Sequence, residues 1–172
     1  MRQAARWLVG VLLVAGAGCV SPAAAASSRC AEGPGAARVW AGDFDGDGNA
    51  DRLWLQPPGG PARGVEWVRD PWKDRQRRLD AGVPALVLAH GGTPAGRCTL
   101  IQHRSFFSTP IWEEGDPSLS VLPRADGAAK DWRRVTRGWR GDGILLGTEA
   151  GVDVLLYWDG RRYRIAYSGD VP

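Results

Sequence analysis

Four aspartates and an asparagine occupy alternate positions of Asp43-Phe44-Asp45-Gly46-Asp47-Gly48-Asn49-Ala50-Asp51. When such a loop curls on itself, side-chain oxygens at its first, third and fifth positions converge on one point. The seventh residue, Asn49, then offers its carbonyl, and the ninth, Asp51, completes the set directly or through water. Gly48 supplies the sharp turn that a side chain would resist. Without a cation the four carboxylates repel one another, so closure of the loop and binding of an ion are coupled. Oxygen donors without His or Cys select a hard cation, Ca2+, over zinc or copper. A solvated acidic turn is the plainer alternative, but turns rarely carry this many carboxylates in alternation.

The flanking residues decide what positions the loop. An EF-hand needs a bidentate Glu at position 12, where this chain has Trp54, followed by Leu55 rather than a helix. Arg38-Val39-Trp40-Ala41 before the loop and Arg52-Leu53-Trp54-Leu55 after it are aromatic and branched, which is strand composition. The expected unit is strand, loop, strand.

In that setting Ala41-Gly42-Asp43-Phe44-Asp45-Gly46-Asp47-Gly48-Asn49-Ala50-Asp51-Arg52-Leu53 resembles the FG-GAP (VCBS-type) repeat. The pattern is a Gly-Asp-Phe-Asp-Gly-Asp-Gly core, a further Asp and a hydrophobic strand. The resemblance implies calcium in a β-hairpin loop, carried here by Asp43, Asp45, Asp47, Asn49 and Asp51. Members of that family string repeats into propellers of at least four blades, whereas this chain has a single such loop and is too short for many blades.

From its start, the chain reads as an exported one. Arg2 and Arg6 precede an apolar run from Trp7 to Ala17, and small residues follow at Ala24-Ala25-Ala26. Residues 1–26 are thus expected to be a secretory signal peptide, and no stretch is long and apolar enough for a transmembrane segment in the mature chain. Gly16-Ala17-Gly18-Cys19 partly resembles a lipoprotein cleavage box, so a lipid anchor at Cys19 is the alternative to cleavage after Ala26. Removing the segment lowers the net charge from +3 to +1, which does not support a nucleic-acid binder. In an oxidising compartment Cys30 and Cys98 are the expected disulfide, which closes about 70 residues and restricts the unfolded chain by about 4 kcal/mol.

Residues 27–172 suit a single domain. Gln56–Gly64 reads as a Pro and Gly loop, and Gly64–Val68 as a further strand. Asp70-Pro71 reads as the N-terminus of a helix running to Ala81, with Gly82 as its stop. Val83–Ala89 and Cys98–Gln102 read as central strands covered on both faces, and Ser118–Leu122 as a weaker one. Phe106–Glu114 shows no clean period and is not assigned. Ile144–Thr148, Val152–Trp158 and Arg161–Tyr167 are three further strands, with Asp159-Gly160 as a two-residue hairpin turn and Val152, Val154, Leu156 and Trp158 on one face. This C-terminal part resembles that of small exported bacterial proteins that pair one calcium loop with a terminal hairpin, a group that brings an architecture and no established activity. The fold class expected is mainly β, with antiparallel sheets, β-hairpins and one short helix; α+β is the alternative.

Catalytic motifs are scarce. His90, His103, Ser105, Ser108, Glu113 and Glu114 can be assembled into a hydrolase on paper, yet no Gly-x-Ser-x-Gly elbow, His-Glu-x-x-His helix or phosphate loop accompanies them. Glu113 and Glu114 are neighbours, which on a strand point to opposite faces and cannot flank one glycosidic bond. Arg140-Gly141-Asp142 spells an integrin-binding tripeptide but reads as the turn into Ile144. Eight of the nine tryptophans lie beyond the signal segment. Most are expected in the core, and Trp132 and Trp139, among Arg133, Arg134, Arg137 and Arg140, are the candidates for an exposed surface that binds a glycan or an envelope protein. The functional expectation is an exported, periplasmic or secreted calcium-binding module without catalysis. The alternatives are a calcium-stabilised hydrolase of envelope polymers and an inhibitor or immunity protein for a secreted toxin.

Overall fold

The computed structural model describes residues 38–59, 68–69, 71–72, 76, 78–92, 97–112 and 119–171. The expected signal segment, Cys19, Cys30, most of Gly64–Val68 and Glu113-Glu114 lie outside the described residues. The chain is mostly β, as its sequence pattern predicts.

Period-two alternation builds two sheets. The first contains β1 (Val39–Gly42), β2 (Asp51–Gln56), β3 (Val68–Arg69), β4 (Ala85–Ala89) and β5 (Cys98–Ile101), in the order β1-β2-β4-β5-β3. Its pairs are antiparallel except β3 with β5. The second sheet is an antiparallel meander of β6 (Leu119–Leu122), β7 (Arg140–Leu146), β8 (Val154–Trp158) and β9 (Tyr163–Tyr167). Leu53, Leu86, Leu88 and Ile101 of the first sheet share one cluster with Ile144, Leu146, Val154 and Leu156 of the second, so the sheets face each other across a common core.

Strand β4, expected to be covered on both faces, is so, and β8 is too, whereas β5, expected likewise, keeps Cys98 and Thr99 half-buried. In β4, Leu86 and Leu88 point into the common core, while Val87 and Ala85 join Trp54 and Leu100 on the outer face. In β8, Val154 and Leu156 face inward, and Leu155 and Tyr157 pack under a helix on the far side. Val152, expected on the inner face, precedes the strand and is exposed.

Among the described residues two short α-helices stand in place of the one expected. Helix α1 (Arg104–Phe107) runs into the unassigned aromatic stretch, a 3-10 turn (Pro110–Trp112) lies within it, and α2 (Ala129–Val135) lies over the second sheet. The helix expected over Pro71–Ala81 does not form at its described residues: Pro71-Trp72 and Ala81-Gly82 are turns, and Gln76 and 78–80 are not helical. The cause is Gln102, which is fully buried. Its amide donates to the carbonyls of Asp80, Val83 and Pro84, and its own carbonyl accepts from the Asp80 amide and the Gln76 side chain. A helix there offers few apolar groups besides Trp72 and Leu79, whereas the irregular path satisfies its backbone against Gln102 and stacks Trp72 on His103 and Phe106.

The surface expected around Trp132 and Trp139 is not one. Trp132 is 9% and Trp139 4% exposed, and both pack with Leu122, Ala129, Leu155, Tyr157 and Ala166. Arg133 donates to the carbonyls of Arg124 and Asp126 and so secures the approach to α2, while Arg137 is exposed beyond it. The amphipathic helix turns its tryptophan to the sheet and its arginines to solvent.

The final hairpin is also longer than expected. Trp158 pairs with Tyr163, so residues 159–162 make the turn. The Asp159 carboxylate accepts from the Arg161 and Arg162 amides, each at 2.8 Å, and thereby holds the longer loop. Among the described residues no helix is long and apolar enough to cross a membrane.

Candidate metal centre

The acidic loop joins β1 to β2 as a hairpin, with Gly42 paired to Asp51. Strand, loop, strand is therefore how it is mounted. Phe44 points the other way, fully buried in the common core, and anchors the loop to both sheets. Hydrogen bonds of the aspartates shape the rest. Asp43 accepts from the amides of Gly46 at 2.7 Å, Asp47 at 3.1 Å and Gly48 at 3.1 Å, and Asp47 accepts from Asn49 at 2.8 Å. Asp51 is fully buried and accepts from Phe44 at 2.9 Å and from Gly91, beyond β4, at 2.7 Å.

Two glycine-bearing segments hold the loop from either side. A β-carbon on Gly141, whose φ is +64°, would lie 2.1 Å from the Asp43 carbonyl oxygen, and one on Gly91 would lie 2.3 Å from that of Ala50. Both approaches exclude any larger residue. On the Gly141 side the contact is reciprocal: the Asp142 amide donates to the Asp43 carbonyl, and the Asp43 amide to the Asp142 carboxylate. Arg140-Gly141-Asp142 is thus not the turn expected but the start of β7, in the irregular stretch where its register with β8 shifts. That irregularity presents the backbone to the loop.

The expected donors fall into two groups that share Asp45. Asp43, Asp45 and Asp47 each offer an oxygen within 4.8 Å of the others, and carboxylate oxygens of Asp45 and Asp51 lie within the same distance of each other and of a ring nitrogen of His90. Asn49, whose backbone carbonyl is the expected donor, lays its side chain against Gly92. Asp45 Oδ2 meets His90 Nδ1 at 3.1 Å and the Arg97 guanidinium at 3.0 Å. Asp45 Oδ1 is buried and has no hydrogen-bond donor. Burial raises the Asp45 pKa, and the charge of Asp51 adds to it; His90 and Arg97 act in the opposite sense without cancelling the rise. Asp47, by contrast, is lowered by the hydrogen bond from the Asn49 amide.

His90, Arg97 and Asp142 are the members that the sequence did not place in this site. His90 ends the apolar run of β4, and its Nε2 lies 3.0 Å from Thr99 Oγ1. Arg97 spans from Asp45 to the face of Trp158, 5.7 Å from the ring centroid. Tyr163 of β9 closes the floor: its ring stacks on His90, its hydroxyl donates to the Phe44 carbonyl at 3.4 Å, and its pKa is raised by burial and then by the charges of Asp51 and Asp45. The only readable signals were the two Gly-containing tripeptides, His90-Gly91-Gly92 and Arg140-Gly141-Asp142. Cys98, half-buried, starts β5 near this end of the sheet, and its expected partner Cys30 lies outside the described residues.

Compared with known protein families, characterised proteins and solved structures, the chain matches none.

Proposed function

We propose that the protein is an exported calcium-binding module of the cell envelope, non-catalytic, whose ion fixes the hairpin loop and so the junction of the two sheets. The observation that carries this reading is Asp45 Oδ1, a buried carboxylate oxygen without a hydrogen-bond donor, in a group with the oxygens of Asp43 and Asp47. A carboxylate oxygen enclosed without a donor is costly, and a hard cation supplies the missing partner. The donors are oxygens, on a loop already closed by its own amides, and the resemblance to the FG-GAP repeat points to the same ion. Extracellular calcium saturates sites as weak as about 10⁻³ M. Export, through the N-terminal segment, and a Cys30–Cys98 disulfide belong to the same proposal, with a glycan or another envelope protein as the ligand.

Thermal unfolding of oxidised, signal-free protein in EDTA and across a calcium titration tests it. Calcium at 100 times its Kd adds about 2.7 kcal/mol, and Asp47→Ala removes that gain. A melt indifferent to calcium in the parent protein rejects the reading.

One observation favours the hydrolase as a second reading. Thr99 Oγ1, His90 and Asp45 form a hydroxyl, imidazole and carboxylate series, with contacts of 3.0 and 3.1 Å. Ester hydrolysis lost in both Thr99→Ala and His90→Ala, with the calcium-dependent melt retained, would establish it.

A further inference from the structure

The oxygen group does not account for the deeper half of the cluster. Asp51 and His90 have fully buried side chains and Asp45 is 9% exposed, so two carboxylates and an imidazole are enclosed together. His90 Nδ1 lies 3.1 Å from Asp45 Oδ2 and 3.5 Å from Asp51 Oδ2. We propose that Asp45, Asp51 and His90 form a second cation site, nitrogen-containing and buried, that takes a divalent metal of the zinc class and shares Asp45 with the calcium group.

Three features support this choice. The donor chemistry differs: calcium takes oxygen ligands, whereas one imidazole with carboxylates suits zinc and its neighbours. The outer nitrogen of the imidazole is oriented by a hydroxyl, Thr99 Oγ1 at 3.0 Å from Nε2, as the distal nitrogens of metal-bound histidines are by their polar partners. Asp51 is set by the amides of Phe44 and Gly91, which come from different segments and fix its carboxylate from two sides. Asp45 Oδ1, the enclosed oxygen without a donor, belongs to the residue that the two groups share. Arg97 reaches Asp45 Oδ2 from a position about half accessible to solvent. Three protein ligands leave a fourth position open, as zinc sites that bind water do.

The inference rests on the calcium reading only through the shared Asp45, and the two fail separately. Signal-free protein is titrated with zinc in the presence of saturating calcium, followed by native mass spectrometry, and cobalt is substituted to read its visible absorption. One zinc retained beside calcium is expected, with the intense d–d bands of a four-coordinate cobalt site. His90→Gln should weaken zinc about 100-fold and leave the calcium-dependent melt intact, while Asp47→Ala should do the reverse. Thr99→Val keeps every ligand and should weaken zinc about 10-fold, which covers the case of a His90 variant that does not fold. Zinc that calcium displaces one for one, or that Asp47→Ala weakens as much as His90→Gln does, overturns the second site. So does calcium binding with no zinc retained, in which case His90 is a counter-ion to the two carboxylates. Zinc retained without any calcium effect rejects the calcium reading and leaves this one standing.

Discussion

The backbone of Asp43 is held by Asp142 twice: the Asp142 amide donates to the Asp43 carbonyl at 2.6 Å, and the Asp43 amide donates to the Asp142 carboxylate at 3.1 Å. The acidic loop of one sheet is thereby docked on the opening strand of the other. Gly141→Ala tests how much depends on this contact. A methyl group there meets the Asp43 carbonyl in a backbone region unfavourable to Ala, so a loss of about 2 kcal/mol or more is expected in chemical denaturation. The calcium-dependent gain in Tm should fall with it.

Asp45→Asn should change sign with calcium. In EDTA the substitution removes a buried charge crowded by Asp51, and stability should hold or rise. In calcium it removes a ligand, so the variant should melt below the parent protein. Paired melts in the two buffers check it.

The acid limb of stability should depend on Asp159. Burial works to raise its pKa, but the hydrogen bonds from the Arg164 guanidinium and the Arg162 and Arg161 amides outweigh burial and hold it at about 2, against an ordinary 3.8. A carboxylate lowered in the folded state stabilises above its unfolded value, and that contribution is lost as pH falls from about 4 to about 2. Since Arg164 is 39% exposed, screening leaves about 1–2 kcal/mol. Urea unfolding should show Asp159→Ala below the parent protein by that amount at pH 7, and the gap should narrow at pH 2.5.

Gln102→Leu should cost about 2–4 kcal/mol, because it strands three buried or half-buried carbonyls and the Asp80 amide at once. Proteolysis should then cut first within 76–84, a difference visible by mass spectrometry.

Trp132→Ala should destabilise by about 3–5 kcal/mol, with loss of near-ultraviolet dichroism, as expected of a core residue rather than a contact for sugar. Trp132→Phe should recover most of it.

What the chain discloses in advance follows from how local each determinant is. The acidic loop, its flanking strands and the two-faced run of β4 are set by residues a few positions apart, and period and turn chemistry expose them. The Gln102 network joins segments about twenty residues apart, and no pattern within 71–81 signals it. Helix α2 lacks a side-chain cap on its own Ala128, so the usual start signal is missing. Trp132 and Trp139 sit among arginines, and only the fold distinguishes a wall of the core from a sticky surface. His90 reads as a strand end until β2 and β4 are paired, which brings it to Asp51.

Because the loop is local but its dock on Gly141 is distant, the order of assembly is constrained. The β1–β2 hairpin can form early, yet the close-fitting form of its loop must await β7, whose pairing requires a large closure of the chain. An ion that recognises the docked loop binds only once that dock has formed. On the proposed reading, calcium should leave the refolding rate almost unchanged and slow unfolding, so its benefit would be a longer lifetime of the folded chain rather than faster folding.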